Sequence, residues 1–133
     1  MIEMVLGFLF STRMDKVALI KKSKPAWQEG MWNGIGGKVD PGETPKHAMI
    51  REFEEEAGLR IENWRYFGQM QNDRVRVSLY VAVSDDVDSV QTTTEEEVRV
   101  FPTRHLPHTV YNLRWLLPLA KDRFVTEASI CLT

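Results

Sequence analysis

The sequence predicts an α/β (α+β) domain, in which segments of β type alternate with two segments of helical periodicity. Residues 4–10 form a short apolar run, and residues 74–83 alternate between apolar and polar side chains, as strands do. Apolar residues recur at helical spacing within 45–57 and again within 113–120. A chain of 133 residues is expected to form one domain, residues 1–133, with a sizeable core.

Composition excludes several broad classes of protein. The 43% hydrophobic and 27% charged content is that of a globular chain, and the net charge of −2 gives no basic field for long nucleic acid. No apolar run approaches the roughly 18 residues of a membrane span, and the N-terminus lacks a signal pattern. The single cysteine, Cys131, cannot form an internal disulfide, so we expect a cytoplasmic protein without a membrane partner.

The remaining segments complete the predicted sheet. Strands are expected at 17–20 and 64–71, and a further strand is expected to begin near Val98. In the 74–83 strand, the valines and Leu79 would share one face, and the arginines with Ser78 and Tyr80 the other. The last ten residues are interpreted as a strand or a tail. In the 113–120 segment, Pro118 is expected to kink or shorten the helix.

The clearest local signals surround the first helix. Thr44 can cap it, Pro45 suits the first helical position, and Gly58 suits a left-handed stop. An apolar stripe at helical spacing predicts the buried face, formed by Met49, Ile50, Phe53 and Ala57.

Three carboxylates occupy a neighbouring face of the same helix. Glu52, Glu55 and Glu56 are spaced i, i+3 and i+4, so their charges repel one another. A helix that only faced water would interleave lysines there. Converging oxygen ligands of this kind are what a hard divalent cation requires. Arg51 has a different predicted role, because a guanidinium can pair with Glu43 and brace the preceding loop against the helix.

Residues 37–59 resemble the signature of the Nudix hydrolases, Gly-x5-Glu-x7-Arg-Glu-U-x-Glu-Glu-x-Gly-U, where U is a bulky aliphatic residue. All seven fixed positions match, and they are Gly37, Glu43, Arg51, Glu52, Glu55, Glu56 and Gly58. The one departure is Phe53, an aromatic residue at an aliphatic position, which affects packing and not ligands. The resemblance implies the Nudix fold, a mixed curved β-sheet sandwiched between helices.

The resemblance also implies a metal site and a catalytic set. Glu52, Glu55 and Glu56 would be catalytic metal ligands, joined by the carbonyl of Gly36. The family often supplies one more carboxylate from the region of residues 91–97, which is otherwise a solvated acidic loop. By register with the strand that follows, Glu97 is the first choice for this metal-binding or basic role and Glu96 the second. The general base is then Glu52 or Glu97.

Substrate contacts are predicted on three further residues. The segment entering the signature resembles that of MutT-type enzymes, in which an asparagine at the place of Asn33 helps to read a purine. Asn112, at the start of the second helix, is either an N-cap or a contact to the base. Lys38 would offset phosphate charge. The lysines of 21–24 are either a solvated loop or a rim facing phosphates, and Trp27 and Trp32 either plug the core or flank a base.

The predicted activity is hydrolysis of a nucleoside triphosphate, or a related diphosphate derivative, to a nucleotide monophosphate and pyrophosphate. The cofactor would be Mg²⁺, with Mn²⁺ able to substitute, and the protein would be a monomer or homodimer that binds a small nucleotide. Oxidised purine nucleotides of the 8-oxo-dGTP kind are one expected substrate class. The alternatives are another Nudix substrate, such as an RNA 5′ end, a dinucleoside polyphosphate or a nucleotide sugar, and a non-catalytic nucleotide-binding module.

Overall fold

A computed structural model describes residues 1–133 as eight strands and two α-helices. The strands are β1 (Ile2–Phe10), β2 (Lys16–Lys21), β3 (Trp32–Asn33), β4 (Ile35–Lys38), β5 (Arg65–Gln71), β6 (Val75–Val83), β7 (Val98–Pro102) and β8 (Ala128–Cys131). The helices are α1 (Pro45–Ala57) and α2 (Leu113–Lys121), and short 3-10 helices span Ala26–Gln28 and Asp85–Ser89.

All eight strands belong to one mixed sheet. Its main path runs β3-β2-β1-β6-β5-β8, while β4 pairs with β1 and β7 pairs with β2. The β1–β6 and β5–β8 pairs are parallel and the others antiparallel. The last segment of the chain is therefore an edge strand, which resolves the choice between a strand and a tail.

Each face of the sheet carries its own core and its own helix. Successive side chains of a strand point to opposite faces, so β1 sends Val5 and Leu9 into the core under α1, and Leu6 and Phe8 into the core under α2. This arrangement confirms the predicted α+β class with the sheet between helices.

The prediction of one apolar face for β6 was incomplete. Leu79 and Val81 pack on the α2 side, but Tyr80 and Ala82 pack equally deeply on the α1 side. The strand is central in the sheet and covered on both faces, so strict alternation of polarity is lost. Arg76, at its start, pairs at the surface with Glu3 at 3.1 Å.

Helix α1 begins and ends where its capping residues predict. The hydroxyl of Thr44 accepts a hydrogen bond from the backbone N–H of His47 at 3.2 Å, and Pro45 is the first helical residue. Gly58 is left-handed at φ 68° and its N–H donates to the carbonyl of Glu54. The ends are therefore satisfied locally, as short-range chemistry requires.

Helix α2 differs from its prediction in two respects. Asn112 stands at its start, but its backbone is already helical and its side chain makes no capping hydrogen bond. Asn112 therefore occupies the predicted N-cap position, but its side chain does not cap the helix. The helix also continues past Pro118 to Lys121, because Leu116, Leu117 and Ala120 keep its buried face in the core.

The two tryptophans near the signature have different environments. Trp32 is buried and packs edge-on against Phe101, with ring centroids 4.7 Å apart. Trp27 lies in a 3-10 helix and is 57% exposed. Trp32 is therefore a core residue, and only Trp27 has a free ring face. Neither α-helix combines the length and the apolar character that a membrane span requires.

Candidate active site

Arg51 makes hydrogen bonds to several residues of the predicted site. Its Nε and Nη2 donate to the two carboxylate oxygens of Glu43 at 2.8 and 2.9 Å, and Nη2 also donates to the carbonyl of Lys38 at 3.0 Å. Its Nη1 donates to Oε1 of Glu52 at 2.9 Å and lies 3.4 Å from Oε2 of Glu55. A bidentate guanidinium pair is directional. Arg51 therefore links the 38–43 loop to α1, which is the geometry that the predicted brace requires.

Glu52 lies against the backbone of β4. A Cβ atom added at Gly37 would stand 2.6 Å from both carboxylate oxygens of Glu52, which is closer than real contacts allow. Burial raises the pKa of Glu52, while the hydrogen bond from Arg51 opposes this shift. Gly37 is thus required for close approach, and it allows a desolvated carboxylate to lie on the strand.

Glu56 is the least satisfied charge in the site. Its Oε2 is buried and has no hydrogen-bond partner. Burial, followed by the negative charge of Glu52, raises the pKa of Glu56 to about 7, and Lys22 opposes the shift. The charges of Glu96 and Glu55 raise it further. An unpartnered carboxylate among other acids is a position that a cation would stabilise.

Glu96, not Glu97, is the carboxylate of this segment that is buried and whose charge acts on Glu56. Glu96 is buried, and its Oε2 accepts hydrogen bonds from the backbone N–H of Ser23 at 2.6 Å and from the Ser23 hydroxyl at 3.0 Å. Glu97 has a side chain 41% exposed and pairs with Arg99. The sequence ranked Glu97 first and Glu96 second as the additional carboxylate, whereas burial in the structure favours Glu96.

The cause of this reversal is the internal hydrogen bonding of residues 91–97. The hydroxyl of Thr94 accepts from the N–H of Glu96 at 3.1 Å, and the hydroxyl of Thr92 accepts from the N–H of Val98 at 2.9 Å. These threonines turn the chain just before β7 begins. The strand register of β7 therefore cannot be extended back to Glu97, the residue just before the strand.

The acidic side chains fit a divalent cation in charge and in chemistry. Glu52 and Glu56 offer desolvated oxygens, and the orphaned Oε2 of Glu56 needs a positive partner. Glu55 is more open, with a side chain 59% exposed. Gly36 lies in β4, opposite Leu6 of β1. No three acidic, histidine or cysteine side chains converge closely enough to form a ligand cluster. The fit to a cation therefore rests on the negative charge of these carboxylates and not on a finished coordination geometry.

The predicted substrate residues lie on separate elements. Asn33 is in β3, where its Oδ1 accepts from the N–H of Gly34 at 2.8 Å and its Nδ2 donates to Gln28 at 3.2 Å. Lys38, at the end of β4, has an exposed side chain. Asn112 places its Nδ2 3.9 Å from the sulfur of Met70, and its Oδ1 is buried without a partner. The amide oxygen of Asn112 is thus left without a donor inside the protein.

Two residues enter the site that the sequence did not single out. Lys22 lies with its Nζ 3.6 Å from Oε1 of Glu96, and Ser23 binds the other oxygen of that carboxylate. The only signal in the sequence was the cluster of lysines at 21–24. It did not distinguish Lys22 from its neighbours, because the difference arises from the contact of Lys22 with Glu96, which is distant along the chain.

Comparison with known proteins identifies the family. The model of the NUDIX domain matches residues 4–124, which is most of the chain. The chain therefore belongs to the Nudix family, and the acids of α1 lie in its signature.

The similar curated proteins act on different nucleotides. The chain is 33% identical over 73 residues to a CTP pyrophosphohydrolase of Escherichia coli, covering 55% of this chain and 53% of that protein. It is 32% identical over 82 residues to the oxidized purine nucleoside triphosphate hydrolase of Mus musculus, covering 59% and 53%. An NAD-capped RNA hydrolase of Pseudomonas syringae is 39% identical over 57 residues, covering 43% and 20%. The chain thus spans about half, or less, of the length of these relatives.

Solved structures agree with the fold. A NUDIX hydrolase from Nitrosomonas europaea superposes with a TM-score of 0.79 at 20% identity, covering 98% of this chain and 78% of that one. A MutT structure from a study of Aliivibrio salmonicida and Vibrio cholerae gives a TM-score of 0.69 at 22% identity, covering 90% and 96%.

Proposed function

We propose that the protein is a Mg²⁺-dependent pyrophosphohydrolase. It converts a nucleoside triphosphate to a nucleotide monophosphate and pyrophosphate, or a related diphosphate derivative to a nucleotide monophosphate and the phosphorylated leaving group. The observation that carries the proposal is the desolvated pair Glu52 and Glu56, with an orphaned oxygen on Glu56. Burying two acids together is costly unless a cation compensates them. Membership of the Nudix family supports the same chemistry.

Each acidic residue has a proposed part in this reaction. Glu55 and Glu56 would hold the divalent cation together with the carbonyl of Gly36, and Mn²⁺ would replace Mg²⁺. When bound, the cation would neutralise phosphate charge as a Lewis acid. Arg51 and Glu43 hold the loop against the helix and have no part in proton transfer.

Glu52 is the proposed general base. Arg51 donates a hydrogen bond to Oε1 of Glu52, one of its two carboxylate oxygens. Burial raises the pKa of the Glu52 carboxyl and so increases the basicity of Glu52. Glu97 is paired with Arg99, which supports Glu52 over Glu97 as the base. Glu52 would take a proton from water as the water oxygen bonds to phosphorus. The phosphoanhydride bond then breaks, and pyrophosphate leaves with the bonding electron pair.

The nucleoside end would be read by Asn33 and Asn112. The buried, unpartnered Oδ1 of Asn112 supports this role, because a donor on a base would satisfy it. Lys38 would offset phosphate charge from the end of β4. Similarity to the oxidized purine nucleoside triphosphate hydrolase favours an oxidised purine such as 8-oxo-dGTP, and similarity to the CTP enzyme makes CTP its first competitor.

A substrate panel tests the proposal. Purified protein with Mg²⁺ is offered 8-oxo-dGTP, dGTP, CTP, a dinucleoside polyphosphate, a nucleotide sugar and an NAD-capped RNA, and released pyrophosphate and phosphate are measured. We expect pyrophosphate from a triphosphate, loss of turnover in excess chelator, and recovery with Mg²⁺ or Mn²⁺. Binding without turnover of any substrate would instead indicate a nucleotide-binding module, and turnover in excess chelator would overturn the metal mechanism.

The setting of this activity is also a proposal. The single Cys131 is exposed and unpaired, which suits a reducing compartment such as the cytoplasm. A small-molecule nucleotide is the expected partner, with the protein acting as a monomer or a homodimer. Sedimentation of the purified protein at two concentrations would determine the assembly.

A further inference from the structure

Two edge strands of the sheet differ in how they are protected from pairing with another strand. The strand β7 pairs only with β2, and it carries the exposed Arg99 and ends at Pro102. Charged side chains and prolines are the usual means by which proteins keep an exposed edge from pairing. The strand β8 pairs only with β5 and lies at the end of the main sheet path. It is therefore the edge to compare with β7.

The strand β8 has neither form of protection. Its sequence, Ala-Ser-Ile-Cys, contains no charged residue and no proline, and its register with β5 is continuous, without a bulge. The side chains of Ser129 and Cys131 are exposed. An uncharged, regular edge of this kind is a template for a further strand. Two copies of β8 can therefore approach each other without charge repulsion.

The backbone of β8 presents a self-complementary pattern at this edge. The N–H of Leu132 donates to the carbonyl of Gln71 at 2.8 Å, so Leu132 faces β5, and by alternation Ile130 does too. Ser129 and Cys131 therefore direct their N–H and C=O groups outwards. None of these outward groups has a hydrogen-bond partner elsewhere in the protein. Each copy thus offers equal numbers of donors and acceptors, spaced as an antiparallel partner requires.

We propose that β8 is an interaction surface that pairs with β8 of a second copy of this chain, antiparallel about a two-fold axis. In the register that keeps the hydrogen bonds within both strands, Ser129 of each copy exchanges its backbone bonds with Cys131 of the other. Ile130 of each copy then meets its equivalent on the axis, on the sheet face that α2 covers. The two sheets become one continuous sheet. The inference is independent of the proposed hydrolysis.

The length of β8 determines the strength and the limit of this association. The strand has 4 residues, and interfaces below about 1,200 Å² belong to weak or transient complexes. The dimer therefore depends on protein concentration. A two-fold contact uses both β8 edges, so assembly stops at two copies. The strand β3 lies at the other end of the main sheet path, and pairing through β8 leaves it uncovered.

The test compares Ser129→Pro with its matched control, Ser129→Ala. Proline removes the outward N–H and places its ring at the free edge, while the bonds from β8 to β5 belong to other residues. Alanine keeps the N–H. Sedimentation velocity is measured over about a hundredfold range of protein concentration. We expect wild type and Ser129→Ala to shift from monomer to dimer, and Ser129→Pro to raise the dimer Kd by roughly tenfold or more.

Cys131 reports the register of the pairing, because it is the single cysteine of the chain and is exposed. In the proposed pairing the two Cys131 residues are diagonal neighbours, with Cα atoms about 7–8 Å apart. A nitroxide attached to Cys131 should therefore show strong dipolar broadening that disappears when unlabelled protein is mixed in. A labelled protein that stays monomeric while the unlabelled protein dimerises also places Cys131 at the interface.

Three results overturn the proposal. They are a monomer at every concentration, a dimer that Ser129→Pro leaves unchanged, and a labelled dimer without dipolar broadening, since another surface would then hold the copies together. Melting temperatures are measured first, and if Ser129→Pro does not fold, Ser129→Lys replaces it, because a lysine protects an edge and keeps the backbone N–H. A protein that dimerises through β8 but hydrolyses nothing removes the proposed function and leaves this inference standing.

Discussion

The carboxylate of Glu52 rests on the backbone of Gly37, at a distance that leaves no room for a side chain between them. A Cβ at Gly37 would come within 2.6 Å of both Glu52 oxygens. This contact joins the first residue of the family signature to a helix residue fifteen positions later. The glycine is therefore part of the site, although it has no functional group.

Replacing Gly37 by alanine should impair activity far more than stability. The added Cβ meets only the end of a flexible side chain, so Glu52 can move aside and the strand can stay in place. We expect kcat to fall at least tenfold, since a displaced base loses its alignment, with little change in melting temperature. Gly36→Ala is the matched control: its Cβ would strike the Val5 backbone, which cannot move, so this variant should fold poorly. Full activity in Gly37→Ala would show that the position of Glu52 is not critical.

The Glu43 carboxylate should contribute to stability in a pH-dependent way. The hydrogen bonds from Arg51 lower the pKa of Glu43 from 4.5 to about 2. A lowered pKa means that the stabilisation is fully present above about pH 4.5 and is lost as pH falls towards 2. Glu43→Gln should therefore cost about 1–2 kcal/mol at pH 7, because its amide oxygen keeps only one of the two bonds, and little at pH 2.

Thermal melts of wild type and Glu43→Gln between pH 2 and 7 would check this. The two curves should converge as the pH approaches 2. A constant difference across the range would mean that the loss comes from packing and not from the charge. Glu62→Gln, at an exposed carboxylate outside the site, controls for general effects of charge removal.

Replacing Glu56 by glutamine should stabilise the metal-free protein while abolishing its activity. Burial raises the pKa of Glu56 to about 7, so the ionised side chain costs stability once pH rises above its unfolded value of 4.5. The gain in the variant should be absent below pH 4.5, grow through the window up to 7, and reach several degrees at pH 8 in chelator.

Glu54→Gln is the matched control for this experiment, because Glu54 is on the same helix but is exposed and pairs with Arg60. It should leave both melting temperature and turnover close to wild type. In contrast, Glu56→Gln should lose the rise in melting temperature that Mg²⁺ gives to wild type. A Glu56→Gln protein that is less stable than wild type in chelator at pH 8 would contradict the burial argument.

Glu97→Gln should be nearly silent. The Glu97 side chain is turned towards Arg99, outside the acidic cluster, and surface pairs of this kind contribute about 0–1 kcal/mol. We expect kcat and the Mg²⁺ dependence to change less than about twofold. A fall in kcat of roughly 10²–10⁴, typical of a lost proton-transfer group, would restore Glu97 as the base.

Local chemistry made most of the fold predictable. The limits of α1 follow from Thr44, Pro45 and Gly58, each of which acts within four residues of its own position. The predicted strands at 4–10, 17–20, 64–71 and 74–83 all occur, within about two residues at each end. The signature acids also fall on one side of α1, because helical spacing alone decides which residues share a face.

The features that could not be predicted from the sequence depend on contacts between residues that are distant along the chain. Glu96 is buried because threonine hydroxyls turn its loop and because Ser23 donates two hydrogen bonds to its carboxylate, and no periodicity encodes either contact. Asn112 has the residue type and the position of an N-cap, yet its backbone is helical and its side chain makes no capping hydrogen bond. The second buried face of β6 likewise follows from its central place in the sheet.

The segment of residues 91–97 is also tied to the end of α1. The N–H of Gln91 donates to the carbonyl of Ala57 at 2.8 Å, and the hydroxyl of Thr93 donates to the carbonyl of Glu55. These bonds satisfy carbonyls that a helix end otherwise leaves to water. A stretch whose composition looks like an expendable surface linker is therefore a poor place to insert a tag or a fused domain. The turn at Asn72 and Asp73 joins two neighbouring strands, and the side-chain hydrogen bonds of Asn72 stay within that hairpin. It is therefore the better point of entry for an engineer.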